Sequence, residues 1–192
     1  MQNLILIGGG GHCKSCIDVI EQENKYKIFG ILDMAEKVGQ KVLGYKIIGS
    51  DSDILNYVKK GCSFLITVGQ INSPQVRVNI FEKLKKHNAE IATIVSPRAY
   101  VSPFAYIGEG SIVMHDALVN TEAKVGENCI INTKVLLEHE TVVSDNCHIA
   151  VGAVVAGGSE IGKNSFVGAN STIVQGVKVP ENSFIKAGSL VK

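Results

Sequence analysis

Val143-Ser-Asp-Asn-Cys-His-Ile149-Ala-Val-Gly-Ala-Val-Val155-Ala-Gly-Gly-Ser-Glu-Ile161 places an aliphatic residue at every sixth position. The interval continues outward in both directions, from Val95, Val101 and Ile107 to Val179, Ile185 and Val191, for seventeen consecutive matches. Two positions before each aliphatic stands a small or β-branched residue, as in Ala117, Cys129, Thr141, Cys147, Ala153 and Ser165. Both positions are expected to point into a narrow prism. Three positions after the aliphatic, ten of the fourteen residues from 110 to 188 are Gly or Asn, the types that tolerate a left-handed corner. Every third such corner gives Asn128, Asn146, Asn164 and Asn182, which are expected to stack as a ladder. The four corners that break the rule are Asp116, Glu122, Lys134 and Glu140. Departures from a local rule are where function is expected to lie.

Glu140 closes the triplet Glu138-His139-Glu140, which puts an imidazole between two carboxylates on an outward corner. A lone histidine on a surface turn is ordinarily only solvated. Here the repeat context and the following acid point to a general base, since an unperturbed imidazole titrates near ~6.5. His148 precedes the inward Ile149 and is expected to face outward, while His115 lies in a different turn. Cys129 and Cys147 fall in inward slots and read as core thiols, not acyl-carrying nucleophiles. The histidines share no two-ligand spacing on one face, so no metal is expected.

Residues 1–90 read differently. Leu4 to Ile7 is a buried strand, Gly8 to His12 a glycine turn, and 14–23 a helix with Ile17, Val19 and Ile20 inward. Strands at 27–32, 63–68 and 91–94 alternate with helices at 51–59 and 74–87. This predicts a Rossmann-like small parallel sheet with crossover helices in an α/β domain, 1–90, ahead of an all-β domain, 91–192. The glycine turn and helix N-terminus suit a phosphate, and Asp33 ends the next strand where an acid commonly meets a ribose or base. Cys13 stands where both the dinucleotide fingerprint and the Walker pattern require glycine, which favours a looser nucleotide-diphosphate site. A turn that only lets strand and helix pack closely is the other reading. Cys13-x-x-Cys16 has redox spacing at a helix start, but the neighbouring glycines and His12 are better explained by ligand binding.

Composition narrows the rest. Hydrophobic residues make up 45% of 192 positions, with a mean hydropathy of +0.19, which supports a globular core. Nineteen basic and eighteen acidic residues leave a net charge of +1 and no basic run for nucleic acid or anionic lipid. The apolar run at Leu4 is too short for a signal or membrane segment, and five scattered cysteines are expected to be free thiols, so the expected compartment is the cytoplasm.

A nucleotide-type sheet domain followed by a hexapeptide prism resembles the bacterial sugar-nucleotide acetyltransferases. These include the UDP-4-amino-sugar N-acetyltransferases of bacillosamine-type pathways and the related sialic acid O-acetyltransferases. The resemblance rests on Ile7 to His12, Ile31-Leu32-Asp33, Ile131-Asn132-Thr133, Glu138-His139-Glu140, His148, Val151-Gly152-Ala153 and Ala156-Gly157. It implies a left-handed parallel β-helix and acetyl-CoA as co-substrate. His139 would be the proton acceptor and Glu140 the residue that raises its basicity. Gly10, Gly11, His12, Asp33, Gly69 and Asn132 would bind the nucleotide sugar; His148, Gly157, Ala169, Ala187 and Gly188 would line the acetyl-CoA groove. The family's prisms are homotrimers with sites between subunits. Met34 stands where these enzymes often have a second acid, and the family's Gly-x-Pro-Ala-Lys tail is absent. The expected reaction is N-acetylation of a UDP-4-amino-4,6-dideoxy-N-acetylhexosamine by direct attack. O-acetylation of a sialic acid or other sugar hydroxyl, and a non-catalytic trimeric scaffold, are the alternatives.

Overall fold

Within the computed structural model, which describes residues 1–192, the first unit comprises Met1–Gly69 with Gln75–Ala92. Its order is β1 (Gln2–Ile7), α1 (Gly11–Glu23), β2 (Tyr26–Leu32), β3 (Lys41–Val42), β4 (Tyr45–Gly49), α2 (Ile54–Lys59), β5 (Ser63–Ile66), α3 (Gln75–Lys86) and β6 (Glu90–Ile91). The sheet runs β3-β4-β2-β1-β5-β6. Strand β1 is central, with parallel partners on both sides, and this is why Leu4 to Ile7 is a continuous apolar run with no exposed face.

The sheet is mixed, not purely parallel, because β3 pairs antiparallel with β4. Leu43 and Gly44, at φ +46° and +89°, make the tight turn of that hairpin. A two-residue turn with both φ values positive matches strand twist, but leucine in its first position hides it from a search for Asn-Gly or Asp-Gly. The expected strand over 91–94 is two strands: Glu90–Ile91 closes this sheet, and Ile94–Val95 begins the repeat. Helix α1 starts at Gly11, three residues earlier than its apolar pattern indicates, with Gly10 as an extended N-cap. Gly8 needs its glycine, since φ is +103° and a Cβ would lie 2.5 Å from the Val68 side chain.

The second unit comprises Gln70–Pro74 and Thr93–Lys192. Here two-residue strands stack every eighteen residues into three parallel sheets, the left-handed β-helix expected from the repeat. The first face runs from Ile94–Val95 to Phe184–Ile185, the second from Tyr100–Val101 to Leu190–Val191, and the third from Tyr106–Ile107 to Lys178–Val179. The aliphatic of each hexapeptide points inward; Val119, Ile131, Leu137, Ile149, Val155 and Ile173 are all at 0% exposure.

The small slot has a polar duty that periodicity alone does not disclose. Ser111, Ser159 and Ser171 donate from Oγ to the carbonyls of Gly126, Val174 and Lys186, each fifteen residues on. Cys129 and Cys147 reach the Ser144 and Gly162 carbonyls in the same register, so a thiol or hydroxyl satisfies a carbonyl that would otherwise be orphaned inside the prism. All fourteen corners from 110 to 188 have positive φ, including Asp116, Glu122, Lys134 and Glu140 at +58° to +59°. The asparagine ladder forms as two pairs, Asn128 to Asn146 at 2.9 Å and Asn164 to Asn182 at 3.3 Å.

Leu137 lies between Val119 and Val155 in this stack. Leu137→Ala should cost ~2–5 kcal/mol of unfolding free energy, as a cavity lined by apolar side chains is left behind. Leu136→Ala, on the half-buried outer surface, should cost clearly less. Urea titrations of the two variants check this; equal losses would contradict the inward register.

Candidate active site

The corner between the second and third faces carries Glu138-His139-Glu140, after the strand Leu136–Leu137. Positive φ at Glu140 turns the chain so that its carboxylate comes back to the preceding imidazole: Oε2 lies 3.0 Å from His139 Nδ1. A carboxylate only accepts, so Nδ1 carries the hydrogen of this bond. Glu138 also has a partner. Its Oε2 accepts from Asn120 Nδ2 at 2.8 Å and from the His139 backbone N–H at 3.3 Å. Glu138 therefore holds the backbone of the triplet and Glu140 holds the ring.

Gly157 lies eighteen residues on, one coil above His139. A Cβ there would stand 2.5 Å from His139 Cε1 and 2.6 Å from Nε2, so only glycine leaves room for the imidazole. In this repeat the N–H two positions after the inward aliphatic is often taken by the preceding side chain, as Asn120 takes that of Thr121 and Asn132 that of Thr133. Ala156 has no side-chain acceptor, and the Gly157 N–H makes no bond within the chain. Sequence reading reached Gly157 only through resemblance; the eighteen-residue register with His139 was the direct signal.

The other residues expected in the prism lie elsewhere. Asn132, Ala169, Ala187 and Gly188 are at the corner between the first and second faces, a different edge from His139. His148 is on the first face. It points away from the prism axis as expected, yet it is only 8% exposed, because Gln70–Pro74 lies against it through the Gln70 carbonyl. One chain brings His139, Glu140 and Gly157 together and leaves Asn132, Ala169, Ala187 and Gly188 at a separate edge, with His148 on the first face. His115 is occupied by Ser96 Oγ at 2.6 Å.

In the first unit, Gly10, Gly11, His12, Asp33 and Gly69 gather at the C-terminal ends of β1, β2 and β5. Space around Gly10 and Gly11 is open, and a Cβ on Gly69 would make ordinary contact with His12. Asp33 and Met34 also line a cleft of about 310 Å³, along with Gly8, Ser50, Ser52 and Val68. Asp33 accepts from Gly9 N at 2.7 Å and Met34 N at 2.7 Å, and both its oxygens lie 3.2 Å from Lys37 Nζ. Burial acts to raise its pKa, but those two N–H groups and the Lys37 ammonium outweigh it and hold the carboxyl below the usual carboxylate range. Cys13 and Cys16 are buried, and burial pushes both thiols up, which leaves the C-x-x-C spacing without a reactive thiolate. No three His, Cys, Asp or Glu side chains gather as a metal cage.

Comparison with known proteins bears on both units. Residues 3–84 match the PglD N-terminal domain, residues 140–175 the bacterial transferase hexapeptide (six repeats), and residues 160–192 the hexapeptide repeat of succinyl-transferase. The acetyltransferase domain of PglB from Neisseria gonorrhoeae superposes with a TM-score of 0.91 at 25% identity, over 100% of this chain and 92% of that one. The chain thus joins a PglD N-terminal domain to hexapeptide repeats and is homologous to the PglB and PerB acetyltransferases. A second similar structure, PerB from Caulobacter crescentus in complex with CoA and GDP-perosamine, gives a TM-score of 0.92 at 26% identity over 100% of this chain and 89% of that one. The PglB domain has also been solved with acetyl coenzyme A. In sequence, UDP-N-acetylbacillosamine N-acetyltransferase of Bacillus subtilis is 29% identical over 117 residues, 59% of this chain and 52% of that protein. An uncharacterized protein of Acanthamoeba polyphaga mimivirus is 39% identical over 108 residues, 56% of this chain. This chain spans about a fifth of the length of the viral relative and about half of the bacterial one. No helix is long and apolar enough to cross a membrane.

Proposed function

We propose that this protein transfers an acetyl group from acetyl-CoA to the amine of a nucleotide-linked amino sugar, with His139 as general base. The observation that carries this reading is the placement of the His139 ring: Nδ1 lies 3.0 Å from the Glu140 carboxylate, and Nε2 faces Gly157. The attacking amine must lose a proton as it adds to the thioester carbonyl, and Nε2 is the group able to take it. Glu140 orients the ring and balances the imidazolium that forms. The unused Gly157 N–H, beside Nε2, is the donor best placed to meet the oxyanion of the tetrahedral intermediate. The glycine turn, helix α1 N-terminus and adjoining cleft supply the nucleotide-sugar site. Relatives that bind GDP-perosamine or are UDP-sugar N-acetyltransferases support an amine acceptor.

A homotrimer accounts for the separation of the two prism edges. Outward residues of the second face are Tyr100, Leu118, Leu136, Val154, Thr172 and Leu190, whereas the third face carries Lys124, Glu160 and Lys178, two of them ion-paired at 2.8 Å. An uncharged face is one a second copy can cover. In a closed ring, that face of one copy sets its His139 edge beside the Asn132–Ala169–Ala187 edge of the next, which assembles acetyl-CoA and acceptor at one junction. Five free cysteines fit a reducing cytoplasm.

The test is to offer UDP-, GDP- and CMP-linked sugars with acetyl-CoA and follow release of CoA thiol. Transfer to a 4-amino sugar is expected; transfer only to hydroxyl acceptors would replace the N-acetylation reading, and no thiol release with any acceptor would remove the enzymatic one. Glu140→Gln should lower turnover by only about fivefold. With 62% of the carboxylate side chain exposed, solvent already weakens its hold on the imidazolium. A steady-state comparison with the parent checks this, and a loss as deep as that of removing His139 would show that Glu140 does more than orient.

A further inference from the structure

We propose that Thr67 is a positioning residue: its hydroxyl fixes the Gly8–Gly9 peptide and so presents the N–H groups of Gly10 and Gly11 to a diphosphate. Thr67 stands just past strand β5 and is fully buried. Its N–H donates to the Ile7 carbonyl at 2.8 Å, continuing the pairing of β5 with β1. Its Oγ1 lies 2.6 Å from the Gly8 carbonyl and 3.1 Å from that of Ile7, which makes Gly8 the main acceptor of its single hydrogen. The Gly8 carbonyl and the Gly9 N–H belong to one planar trans peptide and point in opposite directions. The N–H end is taken by Asp33, whose Oδ2 accepts from Gly9 N at 2.7 Å. One peptide is therefore held from both sides, by a hydroxyl that donates and a carboxylate that accepts.

Turning that peptide over would aim the Gly8 carbonyl at the Asp33 carboxylate, a repulsive contact, and take the nearer acceptor away from Thr67. Two successive glycines make such a rotation sterically easy, so the clamp has something to oppose. The Gly8 N–H is also in use, donating to the Leu32 carbonyl at 2.8 Å. Beyond this anchored part the turn opens. Gly8 is buried, Gly9 half-buried, and Gly10 and Gly11 exposed, and the N–H groups of the last two make no bond within the chain. They begin α1, a helix of thirteen residues, whose dipole adds to their attraction for an anion. Thr67 is itself secured. Arg77, from α3 and 1% exposed, donates from Nη1 to the Ile66 and Val68 carbonyls, each at 2.8 Å, and so holds the residues on either side of Thr67. That the anion is the diphosphate of a nucleotide sugar rests on the acetyl-transfer reading; the peptide clamp does not.

Calorimetry with UDP and with GDP on the whole protein tests it. Thr67→Val keeps the shape and removes the hydroxyl, and should weaken binding of whichever nucleoside diphosphate the parent prefers by about tenfold, the scale of one hydrogen bond. Thr67→Ser restores the hydroxyl and should recover most of that affinity. In kinetics, the valine variant should raise KM for the nucleotide sugar while kcat and KM for acetyl-CoA stay near the parent's, a split that general loosening of the fold would not give. ¹H–¹⁵N spectra should show the Gly9, Gly10 and Gly11 amide signals moved in Thr67→Val and close to their parental places in Thr67→Ser. Equal losses in the two variants, parental affinity in Thr67→Val, or a loss that falls on acetyl-CoA would overturn the proposal. If the parent binds neither UDP nor GDP, the nucleotide-sugar reading fails by itself and the spectra decide the clamp: unmoved amide signals in Thr67→Val would remove it.

Discussion

His139→Ala is expected to lower acetyl transfer by about 10²- to 10⁴-fold, the usual worth of a positioned general base. The imidazole is the group whose Nε2 faces Gly157, and the neighbouring carboxylates have other duties: Glu138 is held by Asn120, and Glu140 is bonded to Nδ1. Neither can move to the Nε2 position without giving up its partner. Folding should be untouched. The ring is 48% exposed and contributes nothing to the apolar stack inside the prism. A normal thermal melt, unchanged nucleotide-sugar affinity in calorimetry and a collapse of kcat together are the expected pattern. Turnover close to that of the parent would take His139 out of the mechanism.

Gly157→Ala is expected to lower kcat by about 10²-fold with little change in stability. The backbone at Gly157 does not need positive φ, so alanine is sterically possible in the chain itself. Its methyl group, however, would sit 2.5 Å from His139 Cε1 and 2.6 Å from Nε2, well inside contact distance. The imidazole must swing away and lose its alignment with Glu140, and a misplacement of about 1 Å at a reacting group is enough for a loss of that size. Gly158→Ala makes the informative contrast. Gly158 has φ +65° and nothing within 4 Å of a Cβ, so alanine there should cost ~1 kcal/mol of stability and spare activity. Parallel kinetics and urea titrations separate the two. Placed in the His139→Ala background, Gly157→Ala should add no large further loss, since the ring it displaces is gone.

Much of this architecture was legible because the repeat is a one-dimensional code. Every sixth side chain must fill the same narrow interior, and every corner must take positive φ, so Val95 to Val191 carries its own register. The same code exposed Glu140, a charged residue at a strained corner. The hairpin at Leu43-Gly44 was not legible, because its turn uses a leucine that no turn preference would select. Nor was the split at 91–94, where one apolar run serves two different cores.

The amino-acid sequence by itself determined the two folds, the prism register and the placing of His139 beside Glu140, since each follows from local spacing or periodicity. Only the tertiary structure decided what lies eighteen residues away in the next coil or against the outside of a face. Gly157 against the imidazole, Glu138 held by Asn120, and His148 covered by Gln70 and turned toward Asn132 are of this kind. The physical reason is that periodicity specifies which way a side chain points from its own coil. What it meets there depends on stacking between coils and on a segment, Gln70–Pro74, that comes from another part of the chain.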